Sequence, residues 1–179
     1  MLCYQRKNGA LACDDSHLRS ANDFCEGYKQ FLNAVCTERE ATEYIISKAK
    51  SCGFVEFSKE ACYQAGDKVY LNNRDKSVIL AVIGKDDIKN GVSVIASHLD
   101  SPRLDLKQNP LYEASELAFF KTHYYGGIKK YQWGTVPLSL HGVIIKDDGE
   151  KVSVRIGDQP GDPVFCVNDL LVHLATEQM

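Results

Sequence analysis

The run from Val92 to Ala96, ValSerValIleAla, constrains the fold more than any other stretch of this chain. It is apolar and rich in β-branched residues, which is typical of a strand in the middle of a sheet. His98 and Asp100 follow it, and side chains two residues apart in an extended segment project to the same side. The sequence therefore predicts a central strand that presents an imidazole and a carboxylate at its end.

An imidazole beside a carboxylate is suited to metal binding. The His98 ring can bind an ion through a neutral nitrogen, and Asp100 can accept a hydrogen bond from the other ring nitrogen. By spacing alone, however, His-x-Asp is more often a surface pair or a capping turn. The flanking residues decide between these interpretations.

Those flanking residues resemble the aspartyl aminopeptidase family, specifically its bacterial branch. The similarity starts with SerHisLeuAspSerProArgLeuAspLeuLys at 97–107 and extends to Met179. Its further parts are LysThrHisTyrTyrGlyGlyIleLysLysTyrGlnTrp at 121–133, ValProLeuSerLeuHisGlyValIle at 136–144 and AsnAspLeuLeuValHisLeu at 168–174. HisLeuAspSerPro followed by TyrTyrGlyGly and a Trp is a specific combination. The resemblance implies a dinuclear zinc aminopeptidase.

The implied fold class is α/β. Residues 1–104 would form the start of a zinc-exopeptidase α/β/α catalytic domain. Residues 105–179 would form part of an inserted β-rich dimerisation domain, which mediates assembly into a homo-oligomer in the family. Short β-prone runs punctuated by glycines beyond Pro102 favour the same division.

Local patterns predict most of the individual elements. Residues 1–20 show no period and are expected to be irregular, with His17 in an exposed loop. Helices are expected from Asn22 to Val35, with a core-facing stripe of Phe24, Tyr28 and Phe31, and from the capping box Thr37–Glu40 to Gly53. Hairpins are expected at 68–71 with 77–83 and at 136–145 with 151–156, the latter around AspAspGly at 147–149. A short helix is expected at 169–175.

The resemblance also implies site residues. His98 would be a zinc ligand, Asp100 would act in catalysis by aligning it, and two zinc ions would share each active site, with other divalent metals possible. His173 matches a histidine that the family places near the neighbouring subunit's active site, where it would contact substrate. His123 is expected to pack or shape the site and His141 to be structural, while Asp105 is disfavoured as a further ligand.

In the family, the bridging aspartate, the glutamate pair and the last metal ligands follow the inserted domain, whereas this sequence stops at Met179 within it. We therefore expect the N-terminal portion of a zinc-dependent aminopeptidase that releases N-terminal, in particular acidic, residues from peptides and is inactive by itself. The alternative is a truncated, non-catalytic paralogue that assembles with a full-length enzyme.

Composition argues against several other classes. The net charge is -3 and the basic residues are dispersed, which argues against nucleic acid as the main partner. No stretch is apolar enough to span a membrane, and no apolar signal core follows Met1, so a cytoplasmic location is expected. The seven cysteines include no Cys-x-x-Cys and are interpreted as reduced thiols. Gly-x-Ser-x-Gly and phosphate-binding loops are absent.

Overall fold

The computed structural model describes residues 4, 6, 8–168 and 173. The chain divides into two compact units, residues 1–99 and 100–179, which are described separately below. The sequence-based assignment of residues 1–104 and 105–179 to two domains stays a prediction.

The first unit combines helices with a small mixed sheet. Its helices are α1 (Gly9–Ala12), α2 (Asp15–Ala34) and α3 (Glu38–Ser51), and its strands are β1 (Val55–Glu56), β2 (Lys68–Asn73) and β3 (Ser77–Val82). The sheet order is β1-β2-β3, with β1 parallel to β2 and β2 antiparallel to β3. The predicted hairpin at 68–83 is thus confirmed.

Helix α2 begins earlier than the sequence pattern predicted. It starts at Asp15 rather than Asn22, because the Asp14 carboxylate accepts hydrogen bonds from the backbone N–H groups of Ser16 and His17 and caps the helix. The backbone N–H of His17, followed by the Ser16 hydroxyl, lowers the pKa of Asp14 to about 2. His17 is exposed, as predicted, but lies in this helix and not in a loop.

The aromatic stripe of α2 does not face a core, contrary to the prediction. No described residue of α2 is buried, and Phe24 is 79% exposed. Among the described residues, Phe31 is the one member of the stripe with an aromatic partner on another element: its ring contacts the Tyr44 ring of α3 edge-on, with 5.2 Å between centroids. The helical spacing was interpreted correctly, whereas burial depends on a neighbouring surface that local periodicity does not reveal.

Helix α3 has the predicted capping box. The Thr37 hydroxyl accepts from the Glu40 backbone N–H at 3.3 Å, and the Glu40 carboxylate accepts from the Thr37 backbone N–H at 3.0 Å. The helix ends as predicted next to Gly53, whose φ is +84°. Helix α3 packs on β2 and β3, and the buried residues of the unit come from α3 and β2: Ala41, Thr42, Ala49, Val69 and Tyr70.

The predicted central strand at 92–96 is absent, which corrects the starting interpretation. Residues 91–102 are neither helix nor strand, and the side chain of Ile95 is fully exposed. The sheet ends at β3, and no described strand forms a ladder with residues 92–96. A strand needs a partner for its backbone N–H and C=O groups, so apolar composition alone does not create one.

The described strands of the second unit form two antiparallel hairpins. They are β4 (Arg103–Ala114) with β5 (Leu117–Tyr125), and β6 (Leu140–Ile145) with β7 (Lys151–Ile156). The hairpin β6–β7 was predicted, although its first strand begins at Leu140 instead of residue 136. Gly149, with φ +85°, lies in the predicted turn.

The long hairpin β4–β5 had no specific sequence prediction. Its turn consists of Ser115 and Glu116, both at positive φ, and lacks the glycine or asparagine that usually marks such turns. Its register shifts between Leu106 and Leu111, where Pro110 cannot donate to the ladder. Because of the atypical turn residues and the proline within the strand, the sequence pattern did not indicate these two strands.

Three further predictions can be compared with the structure. The short helix expected at 169–175 lies outside the described residues except for His173, which is exposed. Six cysteines have exposed thiols, and no disulfide joins the cysteines that are described. Within the described part of the chain, no helix is both long and apolar enough to cross a bilayer.

Candidate functional site

The two residues that the sequence singled out lie on the irregular segment that precedes β4. His98 is exposed, and Asp100 is partly buried. Neither residue is carried by a helix or a strand.

Asp100 is held by a residue that sequence analysis missed. The hydroxyl of Tyr125 donates a hydrogen bond to Oδ2 of Asp100 at 2.9 Å. Tyr125 is the last residue of β5, 25 positions further along the chain. Its only signal in the sequence is its place in TyrTyrGlyGly, directly before a pair of glycines.

The fold brings these two residues together through a close backbone approach after β5. Gly126 has φ +77°, and a Cβ built on it would lie 3.5 Å from the Cα of Pro102. A glycine suits this position because a side chain would strain the backbone at positive φ. The backbone that follows Tyr125 therefore lies close to Pro102, two residues after Asp100.

Arg103 completes this cluster from the neighbouring strand. It is the register partner of Tyr125 in the β4–β5 ladder, and its guanidinium carbon lies 4.0 Å from the centroid of the Tyr125 ring. Arg103 Nε also donates to Oδ1 of Asp105 at 2.7 Å. Asp105 is therefore paired with a cation of its own strand.

His123 and His141 lie in different surroundings within the second unit. His123 is exposed, and its ring stacks on that of Tyr124 with 5.4 Å between centroids. His141 lies on β6 with 8% of its side chain exposed, and its Nε2 is 3.0 Å from a carboxylate oxygen of Asp158. The structural role expected for His141 stays a prediction.

Comparison with known proteins identifies the family. Residues 31–179 match the aminopeptidase I zinc metalloprotease (M18) family, and the chain therefore belongs to it. A probable M18 family aminopeptidase 1 from Clostridium acetobutylicum is 47% identical over 182 residues, which cover 99% of this chain and 39% of the relative. The resemblance to a zinc aminopeptidase family is thus confirmed at the level of M18.

Solved structures agree with this assignment. Aminopeptidase I from Borrelia burgdorferi B31 matches with a TM-score of 0.87 at 45% identity, covering 93% of this chain and 41% of that one. An M18 family aminopeptidase from Thermotoga maritima matches with a TM-score of 0.88 at 40% identity, covering 99% and 38%. The predicted α/β fold is confirmed, and the chain spans about two fifths of the length of these relatives.

The donor atoms of the segment fit zinc in kind but are too few for a catalytic site. Imidazole nitrogen and carboxylate oxygen are both ordinary zinc ligands, and a catalytic zinc takes about three protein ligands besides its water. The segment 91–102 contributes one histidine, His98, and the carboxylate of Asp100. It can therefore supply one part of a metal site.

Proposed function

We propose that this chain is the N-terminal portion of a cytoplasmic, dinuclear zinc aminopeptidase of the aspartyl aminopeptidase type, from the bacterial branch of that family. The observation that carries the proposal is the family match over residues 31–179, which includes the HisLeuAspSerPro motif. The exposure of His98 and the fixed carboxylate of Asp100 support it, since a metal ligand must be reachable and its supporting group oriented.

In this proposal, His98 binds zinc through a neutral ring nitrogen, and Asp100 accepts a hydrogen bond from the other ring nitrogen. The carboxylate thereby fixes the tautomer and orientation of the ring and makes the ligating nitrogen more basic. Bound zinc supplies a water of lowered pKa and polarises the peptide carbonyl. The chain's own contribution is to hold one ligand in place.

The finer parts of the proposal concern substrate and assembly. The substrate is a peptide with an acidic N-terminal residue, and His173 contacts it in the active site of a neighbouring subunit. Assembly through the β-rich unit is supported by its two separate two-stranded hairpins. Such hairpins are marginally stable by themselves and leave strand edges that another subunit can cover.

The 179 residues by themselves are proposed to be inactive. They span 39% of the Clostridium relative, and one histidine with one supporting carboxylate does not complete a catalytic zinc site. The rest of the ligand set and the general base would come from polypeptide that matches the remainder of the relatives.

The test compares the 179-residue chain with the protein expressed from its whole reading frame. Metal content and hydrolysis of aspartyl and leucyl anilides are measured with added zinc or manganese. We expect negligible metal and no turnover from the 179 residues, and turnover with a preference for the aspartyl anilide from the whole protein. His98→Ala should abolish that turnover, whereas the matched change His123→Ala should leave most of it.

Two results would contradict the proposal in different ways. Stoichiometric metal and turnover from the 179 residues alone would show that the ligand assignment is wrong. No turnover from the whole protein with either metal would refute the aminopeptidase proposal and favour the non-catalytic paralogue, which should then co-purify with a full-length enzyme.

A further inference from the structure

We propose that Tyr125, braced by Arg103, is a positioning residue that fixes the Asp100 carboxylate in the orientation that supports His98 as a metal ligand. This inference rests on the proposed function. It assigns to the TyrTyrGlyGly motif a task at the metal site, which the sequence pattern alone does not reveal.

The Asp100 carboxylate is oriented by a side-chain hydrogen bond. Asp100 lies outside any helix or strand, so the backbone around it has no ladder to restrain it. The Tyr125 hydroxyl donates to Oδ2 at 2.9 Å and thereby restricts rotation of the carboxylate plane. A hydrogen bond to an ionised acceptor is among the stronger ones in proteins, which suits this restraint.

Tyr125 is itself held by its strand partner Arg103. Tyr125 ends β5, where the ladder pairs it with Arg103, and the guanidinium lies over the ring at 4.0 Å. Arg103 is in turn fixed by its 2.7 Å bond to Asp105, two residues along the same strand. The Arg103 guanidinium therefore packs on one face of the Tyr125 ring, and Asp105 holds the guanidinium in place. These contacts fix the position of the Tyr125 hydroxyl.

Gly126 provides the backbone turn that follows Tyr125. Its positive φ and its approach to Pro102 carry the chain past the segment of Asp100 immediately after Tyr125. The chain thus leaves β5 at the point where the tyrosine hydroxyl reaches the carboxylate. The motif therefore combines a hydroxyl donor with the backbone turn that places it.

The test is the zinc affinity of the protein expressed from its whole reading frame, measured by competition with a chromophoric chelator. Tyr125→Phe removes the hydroxyl and keeps the ring on Arg103. We expect zinc binding about tenfold weaker, at the lower end of the effect of changing an outer-shell partner. Tyr124→Phe is the matched control: Tyr124 is 49% exposed against 38% for Tyr125, and the stacking of its ring on His123 needs no hydroxyl.

A double-mutant cycle separates positioning from a general structural role. If Tyr125 acts through Asp100, then Tyr125→Phe should weaken zinc binding no further once Asp100→Ala is present. Thermal melts of all variants record whether folding is preserved. Additive effects in the cycle, or equal affinities of Tyr125→Phe and Tyr124→Phe, would overturn the inference.

His98→Ala distinguishes a failure of this inference from a failure of the proposed function. If His98→Ala weakens zinc binding and Tyr125→Phe does not, only the positioning role is refuted. If His98→Ala leaves zinc binding unchanged, including the case in which no zinc binds at all, the proposed metal site is refuted and the role of Tyr125 with it.

Discussion

Replacing Thr37 by Ala should destabilise the first unit by about 1 kcal/mol, because it removes the hydroxyl of the capping box. The Thr37 hydroxyl accepts from the Glu40 backbone N–H, and the Glu40 carboxylate accepts from the backbone N–H groups of Thr37 and Cys36. Ala removes the first of these bonds and leaves a helix donor without its side-chain acceptor. An N-cap threonine replaced by alanine costs about 1 kcal/mol.

The measurement is urea unfolding of the 179-residue chain, followed by far-ultraviolet circular dichroism. The two long helices, α2 and α3, lie in the first unit, so the helical signal reports on that unit. With a slope of about 2 kcal/mol/M, a loss of about 1 kcal/mol lowers the midpoint by about 0.5 M. Thr37→Ser keeps the hydroxyl and should unfold close to the unsubstituted chain.

Two outcomes would refute this reasoning. If Thr37→Ala and Thr37→Ser had the same midpoint, the hydroxyl would not cap the helix in solution. If the midpoint stayed constant while the slope changed, the substitution would act on the unfolded ensemble and not on the helix.

Two further predictions concern single residues of each unit. Because hydrogen bonds lower the pKa of Asp14 from 3.8 to about 2, its carboxylate stabilises α2 fully above pH 3.8 and progressively less as the pH falls toward 2. The helical signal should fall over this range relative to Asp14→Asn, which caps without titrating; identical pH profiles would contradict this. Gly157→Ala should cost about 2 kcal/mol or more in chemical unfolding, since φ is +105° and the new Cβ would lie 3.0 Å from the Cα of Ser139. Gly149→Ala, at positive φ in open space, should cost less, and equal losses would refute the clash.

The features that sequence predicted correctly are those fixed by neighbouring residues. The capping box needs only Thr37 and Glu40, and the β6–β7 turn needs only the residues around Gly149. The start of α2 was also encoded locally, in the Asp14 cap, but the lack of an apolar period in residues 1–20 concealed it. Such signals lie within a few positions of the element that they specify.

The features that sequence missed depend on distant partners. Asp100 and Tyr125 meet because β4 pairs with β5, and that pairing was hidden by Pro110 and by a turn without glycine. The position of Arg103 over Tyr125 follows from the same register. The residue types of the candidate site could be predicted, whereas the contacts that orient them required the register of a long hairpin.

The segment at 92–96 shows the same distinction between composition and surroundings. Its apolarity predicted a buried strand, yet Ile95 is fully exposed and no described strand forms a ladder with residues 92–96. Burial of such a side chain contributes about 2 kcal/mol, but only where a neighbouring strand and a packed layer exist to receive it. The chain spans 39% of the Clostridium relative, so the match includes only part of that protein. Apolarity therefore indicates what these residues would gain from burial, while the presence of a partner decides whether the strand forms.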